Sequence, residues 1–333
     1  MKIAVLGAGA IGALVAGYLK LKGEEVSLVG RPDSIRAIKK DGLRISGIRG
    51  SFKVEIPAQE ALNYKPEVLI LATKTQDIES ALKDKLDLIK DSVVLTTQNG
   101  IQADKIVSRY LSQKNIISSI VMFGSTYFNP GEVVHNFEGS WILGSIFGNK
   151  LNAGILSLNS TLDKAFPTIV SEDILGMKYL KIFVNANNCI PAILGVSMQE
   201  AFSDFEISKI SINIWKEGFD IISKTGVKLS SLPGFPVENI TKLISLPSEE
   251  GAKIFSGIMA KLSQEPLYGS ILQSILRGRS SEIDYINGEF VNLAKENKLD
   301  APINSKLVKM VHEVETSGKF FSKEQFLKLV GDV

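Results

Sequence analysis

Lys181, Asn185 and Cys189 recur every four residues in the run KIFVNANNC, which puts them on one face of a helix, with Asn188 one turn beyond Asn185. Ile182, Phe183, Val184 and Ile190 surround them, so that helix is apolar enough to be largely buried. A lysine in such company holds its proton less tightly than usual and suits general acid chemistry. The competing reading is a lysine that snorkels to a domain surface. A second cluster, YGSILQSILRGRSSEIDYINGEF, carries Ser270 and Glu282 on either side of the Arg277-Gly278-Arg279 interruption. Glu282 opens an amphipathic stretch in which Ile283, Ile286 and Phe290 can face a core. A helix cap and an active-site carboxylate suit it equally. Cys189, the single cysteine, cannot form an internal disulfide. It reads as a pocket residue or as core filler.

A third group sits at the N-terminus. Gly7-Ala8-Gly9-Ala10-Ile11-Gly12 follows the apolar run KIAVL and opens a helical stretch, AIGALVAGYLKLKG, before a second apolar run, EVSLVGR. In such a β-α-β unit the first glycine permits the tight turn, the second lets a pyrophosphate reach backbone N–H groups, and the third allows helix to pack on strand. The helix N-terminus adds partial positive charge. The second strand ends without an acid, and Arg31 follows it. A guanidinium grips a ribose 2′-phosphate where a carboxylate repels it, so NADP is expected over NAD. The alternative is a solvated Arg31, with Asp33 nearby leaving room for NAD. Lys74, after VLILAT, and Asn99, after VVLTTQ, fall at successive strand exits, where doubly wound sheets bind ligands. That favours nicotinamide or substrate contacts over ordinary loop residues.

These groups need a frame, and the remaining sequence supplies one. Val68 to Ala72 and Ser92 to Thr97 are nearly continuous apolar or β-branched runs, as in a parallel sheet buried on both faces. Asp77 to Ile89 reads as the helical crossover between them. Ile116 to Leu143 carries further strands, and the sheet is expected to end at WILGS. Beyond about Asn159 apolar spacings of three and four predict amphipathic helices. The expected fold is therefore α/β, with a Rossmann-like domain over 1–168 and a mainly helical domain over 169–333. Thirty-eight Lys and Arg against 36 Asp and Glu leave a charge of +2, too balanced for a chain that grips nucleic acid. No run approaches the roughly 18 apolar residues of a membrane span. The start MKIAVLGAGAIG lacks the apolar core of a signal peptide, so a reducing cytoplasmic setting is expected. His135 and His312 are isolated in sequence, without ligand spacing for a metal, and read as incidental.

GAGAIG, Arg31, the lysine of ATK, QNG, KxxxN and a serine twelve residues before the glutamate of EIDYING together resemble the ketopantoate reductase (2-dehydropantoate 2-reductase) family along essentially the whole chain. The resemblance implies a Rossmann domain and a helical domain of the 6-phosphogluconate dehydrogenase C-terminal type, an active site in the cleft between them, and a homodimer. It implies NADPH-dependent reduction of 2-dehydropantoate to (R)-pantoate, a step towards pantothenate and coenzyme A. Carried over by motif, Lys181 is the catalytic lysine and Glu282 its carboxylate partner, placed to touch cofactor as well. Asn185 and Ser270 contact substrate, while Lys74 and Asn99 act near the nicotinamide and keto acid. The chain departs from the family pattern in three places. Cys189 stands where a second asparagine is common, Leu267 replaces an asparagine before the serine, and Ser274 ends a stretch that is often Ser-Met-x-x-Asp. Those departures leave two rivals: a reductase of another branched 2-keto acid on the same scaffold, and a regulatory protein that binds NADPH and catalyses little.

Overall fold

The computed structural model of the chain describes residues 1–148, 153–261 and 265–331. Contacts divide it into two compact units, Met1–Leu175 and Gly176–Val333. The first is built on strands β1 (Ile3–Leu6), β2 (Val26–Val29), β3 (Leu43–Gly47), β4 (Phe52–Val54), β5 (Ala58–Gln59), β6 (Val68–Leu71), β7 (Val93–Thr96), β8 (Ile116–Val121), β9 (Gly124–Thr126), β10 (Glu132–Phe137), β11 (Trp141–Gly144) and β12 (Thr168–Val170). Eight of them form one sheet in the order β12-β11-β8-β7-β6-β1-β2-β5. From β8 to β5 neighbouring strands run parallel, and β11 lies antiparallel to β8. Every residue of β1, β2 and β6 is buried, which is why those strands read as unbroken apolar runs.

Three features differ from the sequence reading. The sheet does not end at WILGS: β12 adds a parallel strand beside β11, and the expected boundary at 168/169 falls inside that strand. The crossover after β6 is broken into a short 3-10 turn, Thr75–Asp77, and two short helices, Ile78–Lys83 and Leu86–Ile89, with Asp84 and Lys85 between them. A second sheet, β4-β3-β10-β9, flanks the helix Ala10–Leu21. Its strands are short and only half-buried, so they carry little apolar pattern. Gly17 lets this helix approach β3, since a side chain there would begin 2.4 Å from Ile45 Cδ1. The next residue on this helix, Tyr18, packs edge-on against Phe166 and His135.

The second unit is helical. Its longest helix, Phe205–Thr225, starts where Asp204 accepts from the Glu206 and Ile207 N–H groups and stops at Gly226, which takes the left-handed conformation. Trp215 on this helix donates its indole N–H to the Phe183 carbonyl at 2.7 Å, and Phe183 meets Phe290 edge-on at 4.9 Å. Gly218 leaves room for both rings. The helix Ile174–Ala186, which carries Lys181 and Asn185, is thus gripped from two sides by Phe205–Thr225 and Asn287–Glu296. Among the described residues no helix is long and apolar enough to cross a membrane.

Candidate active site

In the first unit the C-terminal ends of β2, β1, β6 and β7 lie side by side. Three glycines there are required by the fold itself. Gly7 has φ +120°, and a side chain on it would begin 2.6 Å from the Ala72 carbonyl; one on Gly12 would begin 1.9 Å from the Gly7 oxygen. A side chain on Gly30 would begin 2.4 Å from Ala8 Cβ. Gly9 is different: it has ordinary extended backbone (φ −98°, ψ −163°), and nothing lies within 4 Å of the position its Cβ would take. The protein leaves that space open at the start of Ala10–Leu21, where the helix dipole favours an anion. The cradle fits a dinucleotide pyrophosphate.

Arg31 follows β2 and precedes the helix Pro32–Asp41, more than half exposed, with its guanidinium 3.6 Å from the Asp77 carboxylate. Lys74 and Asn99 sit just beyond β6 and β7. Gln98, which sequence reasoning passed over, fastens these two exits together. Its amide donates to the Leu71 and Thr73 carbonyls at 2.9 and 2.8 Å, and the Thr97 hydroxyl donates to Leu71 at 3.0 Å. A buried polar side chain at the end of an apolar strand was the available signal.

In the second unit Lys181 is partly covered, and burial pushes its ammonium down to about 8. Asn185 is buried one turn on. The helix ends at Ala186, a turn at Asn187 and Asn188 intervenes, and Cys189 begins a new helix, Cys189–Leu194. Cys189 therefore does not continue the Lys181–Asn185 face of one helix, as its spacing suggested. Its thiol is fully buried, donates to the Ala186 carbonyl at 3.1 Å, and is pushed up to about 12 by burial.

Two other segments meet the same helix end. A side chain on Gly269 would begin 3.3 Å from Asn188 Cβ, and Ser270 follows at the exposed start of the helix Ser270–Leu276. Asn287, fully buried, donates to the Ala186 carbonyl at 3.1 Å and to Asn304 at 2.9 Å, while Asn304 donates in turn to Glu217 at 2.8 Å. Glu282 lies five residues before Asn287, partly buried, at the start of the 3-10 turn Ile283–Tyr285. The longer helix expected to open at Glu282 begins only at Asn287, and the Glu282 side chain makes no capping hydrogen bond. Packing thus draws the Lys181 helix, Ser270 and the Glu282 loop together within one unit.

Comparison with known proteins decides the family. Family models described as ketopantoate reductase PanE/ApbA and its C-terminal domain match residues 3–148 and 173–315. A 2-dehydropantoate 2-reductase of Pyrococcus horikoshii is 33% identical over 96% of this chain and 99% of that protein. The chain belongs to the ketopantoate reductase family. A second relative, the 2-dehydropantoate 2-reductase of Pyrococcus abyssi, is 32% identical over 91% of this chain and 94% of its own length. Among solved structures, D-mandelate dehydrogenase with NADH and anilino(oxo)acetate superposes with a TM-score of 0.82 at 26% identity, covering 95% of this chain and 99% of that one. A PanE/ApbA family ketopantoate reductase from Ralstonia eutropha shares the fold at TM-score 0.80 and 23% identity, over 95% of this chain and 99% of that one. The chain is accordingly an oxidoreductase that uses a pyridine nucleotide.

Two of the positions at which the sequence departs from the expected family pattern are engaged locally. Ser274 is buried and donates to the Ser270 carbonyl at 2.8 Å, so its hydroxyl is spent within its own helix. Leu267 is held by backbone, its N–H donating to Gln199 at 3.0 Å and its carbonyl accepting from Met198. Among the described residues no group of three or more His, Cys, Asp or Glu side chains is placed to hold a metal ion.

Proposed function

We propose that the chain reduces 2-dehydropantoate to (R)-pantoate with NADPH, using Lys181 as the general acid. The observation that carries this reading is Lys181 itself: an amine desolvated to about 8 still holds its proton near neutrality yet gives it up readily. When bound, the nicotinamide supplies a hydride to the keto carbon. The electron pair of the C=O bond moves onto oxygen, and Lys181 Nζ stabilises that developing charge and delivers the proton that completes the alcohol. Glu282 orients the lysine or accepts a hydrogen bond from the substrate hydroxyl, and it also touches the cofactor. Asn185 and Ser270 orient substrate through amide and hydroxyl groups, which suit a carboxylate and a hydroxyl. Lys74 and Asn99, on the strand exits that Gln98 fastens together, serve the nicotinamide and keto-acid end. Cys189 lies against the pocket as packing, since a thiol so deeply buried and so reluctant to ionise offers substrate little.

Residues 7–12 hold the pyrophosphate and Arg31 the 2′-phosphate, which selects NADPH over NADH. What supports this is the place of Arg31, exposed at the end of β2; its partner Asp77, 3.6 Å away, must yield the guanidinium to the phosphate. A cytoplasmic homodimer completes the reading, which sedimentation at micromolar concentration would check. The function is tested by chiral analysis of the product formed from 2-dehydropantoate and NADPH. The expected result is (R)-pantoate with one NADP⁺ per alcohol; no pantoate above the enzyme-free control rejects the assignment.

A further inference from the structure

The two histidines that look incidental in sequence have very different surroundings. His312 lies on the helix Pro302–Ser317 between two carboxylates: Asp284 Oδ1 is 2.9 Å from Nε2, and Glu315 Oε2 is 3.1 Å from Nδ1. The other oxygen of Glu315 accepts the Ser281 backbone N–H at 2.6 Å. Ser281 immediately precedes Glu282, and Asp284 follows two residues later. Resting on the reading of Glu282 as an active-site carboxylate, we propose that His312, as an imidazolium bridging Asp284 and Glu315, is a positioning residue that holds the loop carrying Glu282.

The argument is one of donors and acceptors. Ionised carboxylates only accept hydrogen bonds, and a neutral imidazole has one N–H and one lone pair. With a carboxylate at each ring nitrogen, both contacts are satisfied only by the cation. Burial alone pushes His312 down, but the hydrogen bonds and charges of Asp284 and Glu315 outweigh it and leave the group above its ordinary value. Asp284, from the 3-10 turn, and Glu315, from the same helix as His312, are the charged groups that act on the ring. The loop is thereby tied at Ser281 and Asp284 to the helix Pro302–Ser317, and at Asn287 to the end of the Lys181 helix. Inside it, the Ile283 N–H donates to the Ser281 hydroxyl at 3.2 Å. Glu282 is bracketed by the Ser281 contact to Glu315 and the Asp284 contact to His312, and the His312 ring bonds both of those carboxylates. When His312 loses its proton a lone pair faces a carboxylate. Asp284, 55% exposed, is then free to swing into solvent, whereas Glu315, 10% exposed, remains.

The sign follows from the raised value: the clamp is closed at low pH and opens as pH climbs through the His312 transition. Lys181, near 8, imposes its own loss of activity at higher pH, so the parent enzyme should lose kcat/KM in two alkaline steps. The test measures pH profiles of kcat/KM for the parent, His312→Gln and Asp284→Asn, with Glu282→Gln alongside. It also follows the imidazole signals by NMR, where two histidines give two resolvable titrations. The expected result is a titration above the ordinary histidine value that disappears in His312→Gln. That variant should lose about tenfold in kcat/KM at low pH, in kcat more than KM, through a displaced carboxylate, and should lack the step that follows the His312 titration. Asp284→Asn should behave alike, and it carries the test if His312→Gln does not fold. An inactive Glu282→Gln beside unchanged profiles in the other two variants overturns the clamp alone. A Glu282→Gln that turns over like the parent overturns the catalytic reading of Glu282 and the clamp with it.

Discussion

Replacing Lys181 removes both the proton and the charge that the proposed chemistry needs. With its ammonium at about 8, roughly nine lysines in ten are protonated at about pH 7 and roughly one in ten at about pH 9. Turnover that requires this proton therefore falls towards tenfold per pH unit on the alkaline side. General acid catalysis typically contributes about 10²–10⁴-fold, or roughly 3–5 kcal/mol of transition-state stabilisation. Lys181→Ala should lose turnover in that range and lose the alkaline step attributed to Lys181, while cofactor affinity, which rests chiefly on residues 7–12 and Arg31, changes little. Lys181→Arg should fare little better, because a guanidinium keeps the charge but holds its proton too tightly to donate it. The assay is single-turnover oxidation of NADPH by 2-dehydropantoate across the pH range, with cofactor binding followed separately by fluorescence. Turnover of Lys181→Ala within about threefold of the parent would refute the reasoning, since no general acid at this position contributes so little.

Gly9→Ala is expected to melt with the parent, because its methyl meets nothing in the protein, yet to bind NADPH at least about tenfold more weakly. Equal affinity would mean the phosphates do not approach Gly9. Gly12→Ala, by contrast, should be destabilised or fail to fold, since its methyl would overlap the Gly7 carbonyl oxygen; a parent-like melting temperature would contradict the packing described. Arg31→Ala should raise KM for NADPH by about tenfold or more and leave KM for NADH nearly unchanged, and a parallel change in both would remove the 2′-phosphate role. His135 is fully buried beside Tyr18, and desolvation lowers it from the ordinary value. A histidine held neutral contributes stability that is complete above the unfolded value of about 6.5 and is lost as pH falls towards the folded one. The melting temperature should thus drop on acidification, and less so in His135→Phe; identical slopes in the two proteins would exclude His135 as the cause.

Local chemistry was legible in the sequence wherever neighbours along the chain decide it. The glycine turn, the buried strands β1, β2 and β6, and the helix bearing Lys181 all follow from patterns within a dozen residues. The lowered proton affinity of Lys181 was also readable, because Ile182, Phe183 and Val184 announce burial. What escaped is set by partners far apart. Gln98 acts on residues about 25 positions earlier, Asn287 on Ala186 about 100 earlier, and His312 on Asp284 28 earlier. Gly30 owes its identity to Ala8 across the sheet. The break at Asn187 and Asn188 was hidden because the four-residue rhythm runs straight through it, so Cys189 looked like the next rung of one helix. The small sheet of β3, β4, β9 and β10 was hidden because short, half-exposed strands show no sustained alternation.

The most direct test compares kcat/KM for 2-dehydropantoate with NADPH and with NADH, beside the same values for a small set of other branched and aromatic 2-keto acids. The prediction is that 2-dehydropantoate with NADPH exceeds every other pairing by about tenfold or more. A preference for a different keto acid would leave the fold and the lysine mechanism standing and contradict the substrate. Equal use of NADH would contradict the role given to Arg31.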